Sequence, residues 1–146
     1  MALEFAIGDA ATDACYGWTV AGRDPFVIDW GPMMRELLQD VRRGAALGVM
    51  AATFHNTLAD IIVEIAGRIG QERVVLSGGC FQNRYLTERT ISRLRGAGFQ
   101  PYWHRRVPPN DGGIALGQLY ARACALAGAR PEESRSARSE EAIVWR

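Results

Sequence analysis

Between Arg73 and Leu126 the chain states one phrase twice: an apolar strand, a polar turn carrying paired glycines, and an apolar helix. In the first, "RVVL" runs into Ser77-Gly78-Gly79, and helical periodicity follows from about Phe81 to Arg95 before "GAG" ends it. In the second, "FQPYWH" leads through the loop "RRVPPNDGG" into "IALGQLYARACALAG", an alanine-rich helix expected to pack on a sheet. The paired prolines of that loop continue neither a ladder nor a helix. Strands separated by helices of this length pair in parallel through right-handed crossovers. Both glycine turns then fall at the carboxyl edge of one small sheet, where open α/β sheets bind ligands.

Upstream of this unit, "FVIDWGP" reads as a third short strand, with Pro32 placed where a first helical turn accepts it. "MMRELLQDVRR" follows as a helix that Gly44 breaks. From Ala45 to Ile69, Leu47, Ala51, Phe54, Leu58, Ile61, Ile62 and Ile65 recur at spacings of three and four, the apolar stripe of a long helix. Gly70 is its stop. Residues 1–26 form an irregular or short-stranded lead-in, 27–129 the folded unit, and 130–146, rich in charge and serine, a mobile tail. Two or three strands make a sheet whose edges need cover, as in a piece of something larger.

Composition removes several classes of function. The net charge of +1 over 146 residues gives no electrostatic reason to bind nucleic acid or an anionic membrane. All 17 basic residues are arginine, which excludes catalysis by a lysine amine. Three cysteines, Cys15, Cys80 and Cys124, odd in number and far apart, argue against a disulfide scaffold and for a reducing cytoplasm. No apolar run approaches the ~20 residues of a membrane span, and the opening "MALEFAIGDA" lacks the basic region of a signal peptide.

Each candidate site residue has a bland reading beside a sharp one. Gly78 and Gly79 are either turn glycines or a backbone shaped for a phosphate, with free N–H groups at the helix start favouring an anion. Asn83, one turn in, has the reach to bond a ribose hydroxyl or a base edge. Asp111 is either an N-cap or a cation ligand, and Gly112 and Gly113 again expose backbone. Ser77 belongs to the turn. Cys80 is a small buried residue or a thiol activated by a helix N-terminus. His55, at the margin of the apolar stripe, reads as packed and hydrogen-bonded, and His104 as exposed. Two histidines so far apart do not by themselves make a metal site.

"LSGGCFQNRYL", followed by "VPPNDGGIALGQ" and preceded by "FHNTLA" and "VIDWGP", resembles the C-terminal part of the hydrogenase maturation carbamoyltransferases, the HypF family. The likeness covers roughly residues 27–127, and Met1-Ala2-Leu3-Glu4 resembles the stretch that opens that region. It implies an α/β fold: the ribonuclease-H-like second lobe of an actin-like ATPase, related to the tRNA threonylcarbamoyl transferases, with a small parallel sheet and flanking helices. It implies ATP as the source of a carbamoyl-adenylate made with carbamoyl phosphate. The acceptor it implies is the C-terminal cysteine of a partner protein in nickel–iron hydrogenase maturation. By position, Ser77, Gly78, Gly79, Asn83, Asn110, Gly112 and Gly113 become nucleotide contacts and Asp111 one ligand of a divalent metal. Family members also carry an acylphosphatase-like domain, zinc motifs, an adenylate-forming domain and a first lobe with paired histidines, none of which is in this sequence. One wall of a cleft does not preorganise charge from both sides, so the isolated chain is expected to be inactive. A different class of function is a non-catalytic module that oligomerises or docks on the maturation partner through faces the missing lobe leaves open. A sugar kinase-like phosphotransferase shares the fold but not the motif wording.

Overall fold

The computed structural model describes residues 2–126 and the backbone of 143–145; the other residues of the expected tail lie outside the described residues. A short helix α1 (Ala2–Phe5) opens an otherwise irregular lead-in, followed by β1 (Thr19–Ala21), β2 (Phe26–Asp29), α2 (Gly31–Arg42) and α3 (Leu47–Ile69). Then come β3 (Arg73–Leu76), α4 (Arg84–Gly96), β4 (Gln100–Trp103), α5 (Ile114–Leu126) and β5 (Ile143–Trp145). Short 3₁₀ turns, Gly79–Gln82 and Asp111–Gly113, stand before α4 and α5.

The local stop signals act as expected. Pro32 lies in the first turn of α2, Gly44 follows its end at φ +69°, and Gly70 closes α3 at φ +71° with its N–H on the Ala66 carbonyl. β3 and β4 pair in parallel across the α4 crossover, Leu76 opposite Trp103. β2 is a correction. Instead of joining β3 in one sheet, it pairs antiparallel with β1 and parallel with β5, which makes two sheets. β1 is only three residues long, too short for the period-two alternation that would reveal a hairpin. An open apolar cavity of about 370 Å³ lies beside Ile28 of β2, Ile61 and Ile65 of α3, and Val74 and Val75 of β3.

α3 is the core of the molecule. It is long and apolar enough to cross a bilayer, contrary to the expectation from sequence, yet 61% of its most apolar stretch is buried inside the fold. Its buried face is wider than the apolar stripe and takes in Thr53, His55, Asn56 and Thr57. Burial of these polar groups is offset by hydrogen bonds. Asn56 Nδ2 donates to the carbonyls of Thr12 and Ala14, and Tyr85 Oη donates to Asn56 Oδ1. Thr57 Oγ1 accepts from the Tyr16 N–H at 2.8 Å. The lead-in is thus irregular but tied to α3. In α4, Leu86, Thr90, Ile91 and Leu94 are buried, and Leu76, Ile91 and Leu94 join Ala66 of α3 in a common apolar cluster.

α5 does not pack on the sheet. None of its residues is buried, and Leu119 and Tyr120 are 70% and 71% exposed. The sheet face opposite α4 is open as well, with Val75 and Tyr102 side by side in register and exposed.

Candidate functional site: two glycine turns at one sheet edge

β3 and β4 run parallel, so their carboxyl ends emerge together, and the two glycine turns meet there. Gly78 N–H donates to the Pro109 carbonyl at 2.8 Å, and Ser77 Oγ lies 3.0 Å from His104 Nε2. A Cβ built on Gly79 would sit 4.0 Å from Asn110 Cβ. Ser77, Gly78, Gly79, Asn110 and Asp111 therefore share one edge, as the alternation of strand and helix required.

The amide inventory differs from the sequence expectation at α4. Its first N–H groups are not free for an anion. Arg84 and Tyr85 N–H donate to Glu4 Oε1 at 2.6 and 3.4 Å, a carboxylate from the lead-in set against the positive end of the helix. Leu86 N–H donates to Asn83 Oδ1 at 2.8 Å, a side-chain N-cap, and Thr87 N–H to the Asn83 carbonyl. Within the first turn, Phe81 and Asn83 N–H close back on Gly78 and Cys80. The amides of Gly79 and Cys80 have no acceptor among the described residues. The amides of this edge that lack an acceptor among the described residues thus lie in the 3₁₀ turn, one step before the helix.

The glycines themselves have distinct reasons to be glycine. Gly78 sits at φ +99°, a conformation side chains rarely adopt. Gly113 has no room, since a Cβ would lie 3.0 Å from the Pro108 carbonyl and 3.2 Å from Val107 Cγ1. Gly79 has neither constraint: no positive φ, and nothing closer than Asn110 Cβ. The fold would accept alanine there.

In the second turn Asn110, not Asp111, is the cap: its Oδ1 accepts from Gly112 N–H at 3.0 Å, and its carbonyl accepts from Gly113 N–H. Those two amides, expected to face a ligand, are directed inward. Asp111 is left exposed, its carboxylate free of hydrogen bonds to described residues. A divalent cation takes six or more oxygen ligands. Among the described residues no three His, Cys, Asp or Glu side chains cluster to hold one, so a cation at Asp111 would need its other ligands from elsewhere. Cys80 is exposed rather than buried, and His104 is exposed as expected. His55 is 4% exposed and hydrogen-bonded, the packed histidine of the sequence reading.

A family model described as the second subdomain of the Kae1-like domain of carbamoyltransferases matches residues 1–118. The chain belongs to the HypF carbamoyltransferase family. It is 41% identical to the carbamoyltransferase HypF of Synechocystis over 123 residues, 84% of this chain and 16% of that protein. To the HypF of Rhizobium leguminosarum it is 41% identical over 101 residues, 65% of this chain and 13% of the relative. Among solved structures, full-length HypF in its phosphate- and nucleotide-bound form superposes with a TM-score of 0.76 at 37% identity, over 87% of this chain and 17% of that one. HypF of T. kodakarensis gives 0.66 at 26% identity, over 91% of this chain and 17% of that one. The chain thus spans about a sixth of the length of these HypF proteins, and its fold is the Kae1-like one that the motifs implied.

Proposed function

We propose that this chain forms one wall of a nucleotide site in a HypF-type carbamoyl transfer reaction. On this reading the phosphates of ATP, or of a carbamoyl-adenylate formed from ATP and carbamoyl phosphate, lie against the Gly79 and Cys80 amides. Ser77 and Asn110 border them. Two convergent backbone N–H groups complement an anion without reorganising, which is where electrostatic stabilisation is largest. Asp111 sits at the rim, where a carboxylate keeps the second turn from being a competing anion site. The carbamoyl acceptor is the C-terminal cysteine of a hydrogenase maturation partner, and the reducing cytoplasm that suits free thiols is the compartment. The remaining donors, and any metal ligands, come from the first subdomain, so the chain alone binds but does not turn over.

The observation that carries this reading is Gly79: a glycine whose amide has no acceptor among the described residues, at a position where the fold has room for a methyl group. Gly79→Ala in a full-length family context is the test. It is expected to leave the melting temperature unchanged and to reduce carbamoyl transfer at least tenfold, because the added carbon occupies the approach to the amides. Unchanged transfer would remove the nucleotide assignment.

A second reading is favoured by the apolar residues left exposed on α5 and on the β3–β4 sheet, Leu119, Tyr120, Val75 and Tyr102. Under it the chain is a docking or self-associating module. Light scattering of the isolated chain that shows a monomer at all concentrations would dispose of that alternative.

A further inference from the structure

We infer that buried His55 is a positioning residue for the first glycine turn, acting through Asn83. The inference rests on the nucleotide reading above and assigns Asn83 a role different from direct contact with the ligand. Asn83 has no free polar atom. Its Oδ1 caps α4 at Leu86 N–H, and its Nδ2 lies 2.7 Å from His55 Nε2. His55 Nδ1 lies 2.7 Å from the Ala51 carbonyl, which only accepts. Hydrogen bonding then dictates the proton's place: Nδ1–H donates to Ala51, and Nε2, bare, accepts from Asn83. The Asn83 amide is oriented by the same pair of bonds, since its other orientation would face an N–H against Leu86 N–H.

The imidazole has no freedom to abandon this arrangement. It is 4% exposed and held edge-on between the rings of Phe54 and Tyr85, at centroid distances of 5.6 and 5.7 Å. A line of bonds therefore runs from the backbone of α3, through His55 and Asn83, to the first turn of α4. Its midpoint, Asn83, is the residue that ends the 3₁₀ turn, with its own N–H on the Cys80 carbonyl. The turn that presents the Gly79 and Cys80 amides is thus fixed at its far end to α3, the core helix of the molecule. His55 touches no ligand-facing group, so its influence is on where those amides point.

The test uses the full 146-residue chain and ADP with Mg²⁺ as the probe, read by amide shifts of Gly79 and Cys80. Nitrogen NMR of wild type is expected to show a neutral imidazole protonated at Nδ1 in the absence of nucleotide. Asn83→Ser keeps a competent cap but cannot reach His55, while His55→Gln keeps a polar side chain without the paired geometry. Each is expected to weaken ADP binding about five- to tenfold, the worth of one hydrogen bond, with a smaller fall in melting temperature for Asn83→Ser than for Asn83→Ala, because serine keeps the cap. The double variant is expected to be no weaker than the worse single one, as for two members of one relay. An Nε2-protonated imidazole would overturn the inference. So would His55→Gln binding ADP as wild type does, or fully additive losses, which would make Asn83 a direct contact. Should wild type itself show no shift of the Gly79 and Cys80 amides with ADP, the nucleotide reading fails first and the proposed positioning role fails with it.

Discussion

The two glycine turns look alike in sequence and are built differently. The first leads into α4, whose Leu86, Thr90, Ile91 and Leu94 are buried against α3 and β3. The amides of Gly79 and Cys80 in that turn have no acceptor among the described residues, while Glu4 and Asn83 cap the helix behind it. The second leads into α5, which buries nothing, and its glycine amides turn inward onto Asn110. A strand–Gly-Gly–helix phrase therefore does not by itself name an anion site. In the first turn the helix start is already taken by other groups, and the amides left without an acceptor among the described residues lie in the turn before it. The first turn is anchored to the core through Asn83 and His55, whereas the second carries a cap and an exposed carboxylate.

The contrast is most exposed to failure in its packing. Leu94→Ala under the first turn's helix, where the side chain is 0% exposed, is expected to cost about 2–5 kcal/mol of stability. Leu119→Ala in α5 is expected to change it by less than about 0.5 kcal/mol. Urea unfolding of the two variants decides the matter, and equal losses would mean that α5 is packed. The lead-in that supplies Glu4 can be loosened with base. Tyr16, whose hydroxyl donates to Asp40 Oδ2 at 3.1 Å, has its pKa raised from 10.0 to about 12, by burial first and then by Asp40. A raised folded-state pKa means that the stabilisation is whole below pH 10 and is lost as the pH climbs through 12. The stability lost over that window is expected to be absent in Tyr16→Phe, as followed by thermal melts. The smallest effect compares the caps. Asn83→Ala should cost about 1–2 kcal/mol, because the cap and the bond to a buried histidine go together. Asn110→Ala, in an exposed turn, should cost about 0.5 kcal/mol, and calorimetry of the pair would show whether the order holds.

Much of this architecture was legible in the chain. Helical stripes, the stops at Gly44 and Gly70, Pro32 in a first turn and the parallel pairing of β3 with β4 all follow from local chemistry and connection length. The meeting of Gly79 with Asn110 followed from the pairing. The β1–β2 hairpin was not legible, because three residues carry no measurable alternation. Nor was the wide polar face of α3: periodicity counts apolar residues, and Asn56 and Thr57 are buried on account of partners in the lead-in. The exposure of α5 was equally hidden, since an apolar helix announces a need for cover without saying what supplies it.

The order and kind of the elements from β2 to α5 came from the sequence by itself, as did membership in the HypF family through its motifs, because each depends on residues close together along the chain. Which amides stay free was decided only in three dimensions. The Arg84 amide is taken by a carboxylate 80 residues away and the Asn83 side chain by an imidazole 28 residues away. Hydrogen bonds between distant segments exist only once the core has closed around α3, and they determine whether a glycine turn can hold a ligand or serves only as a turn.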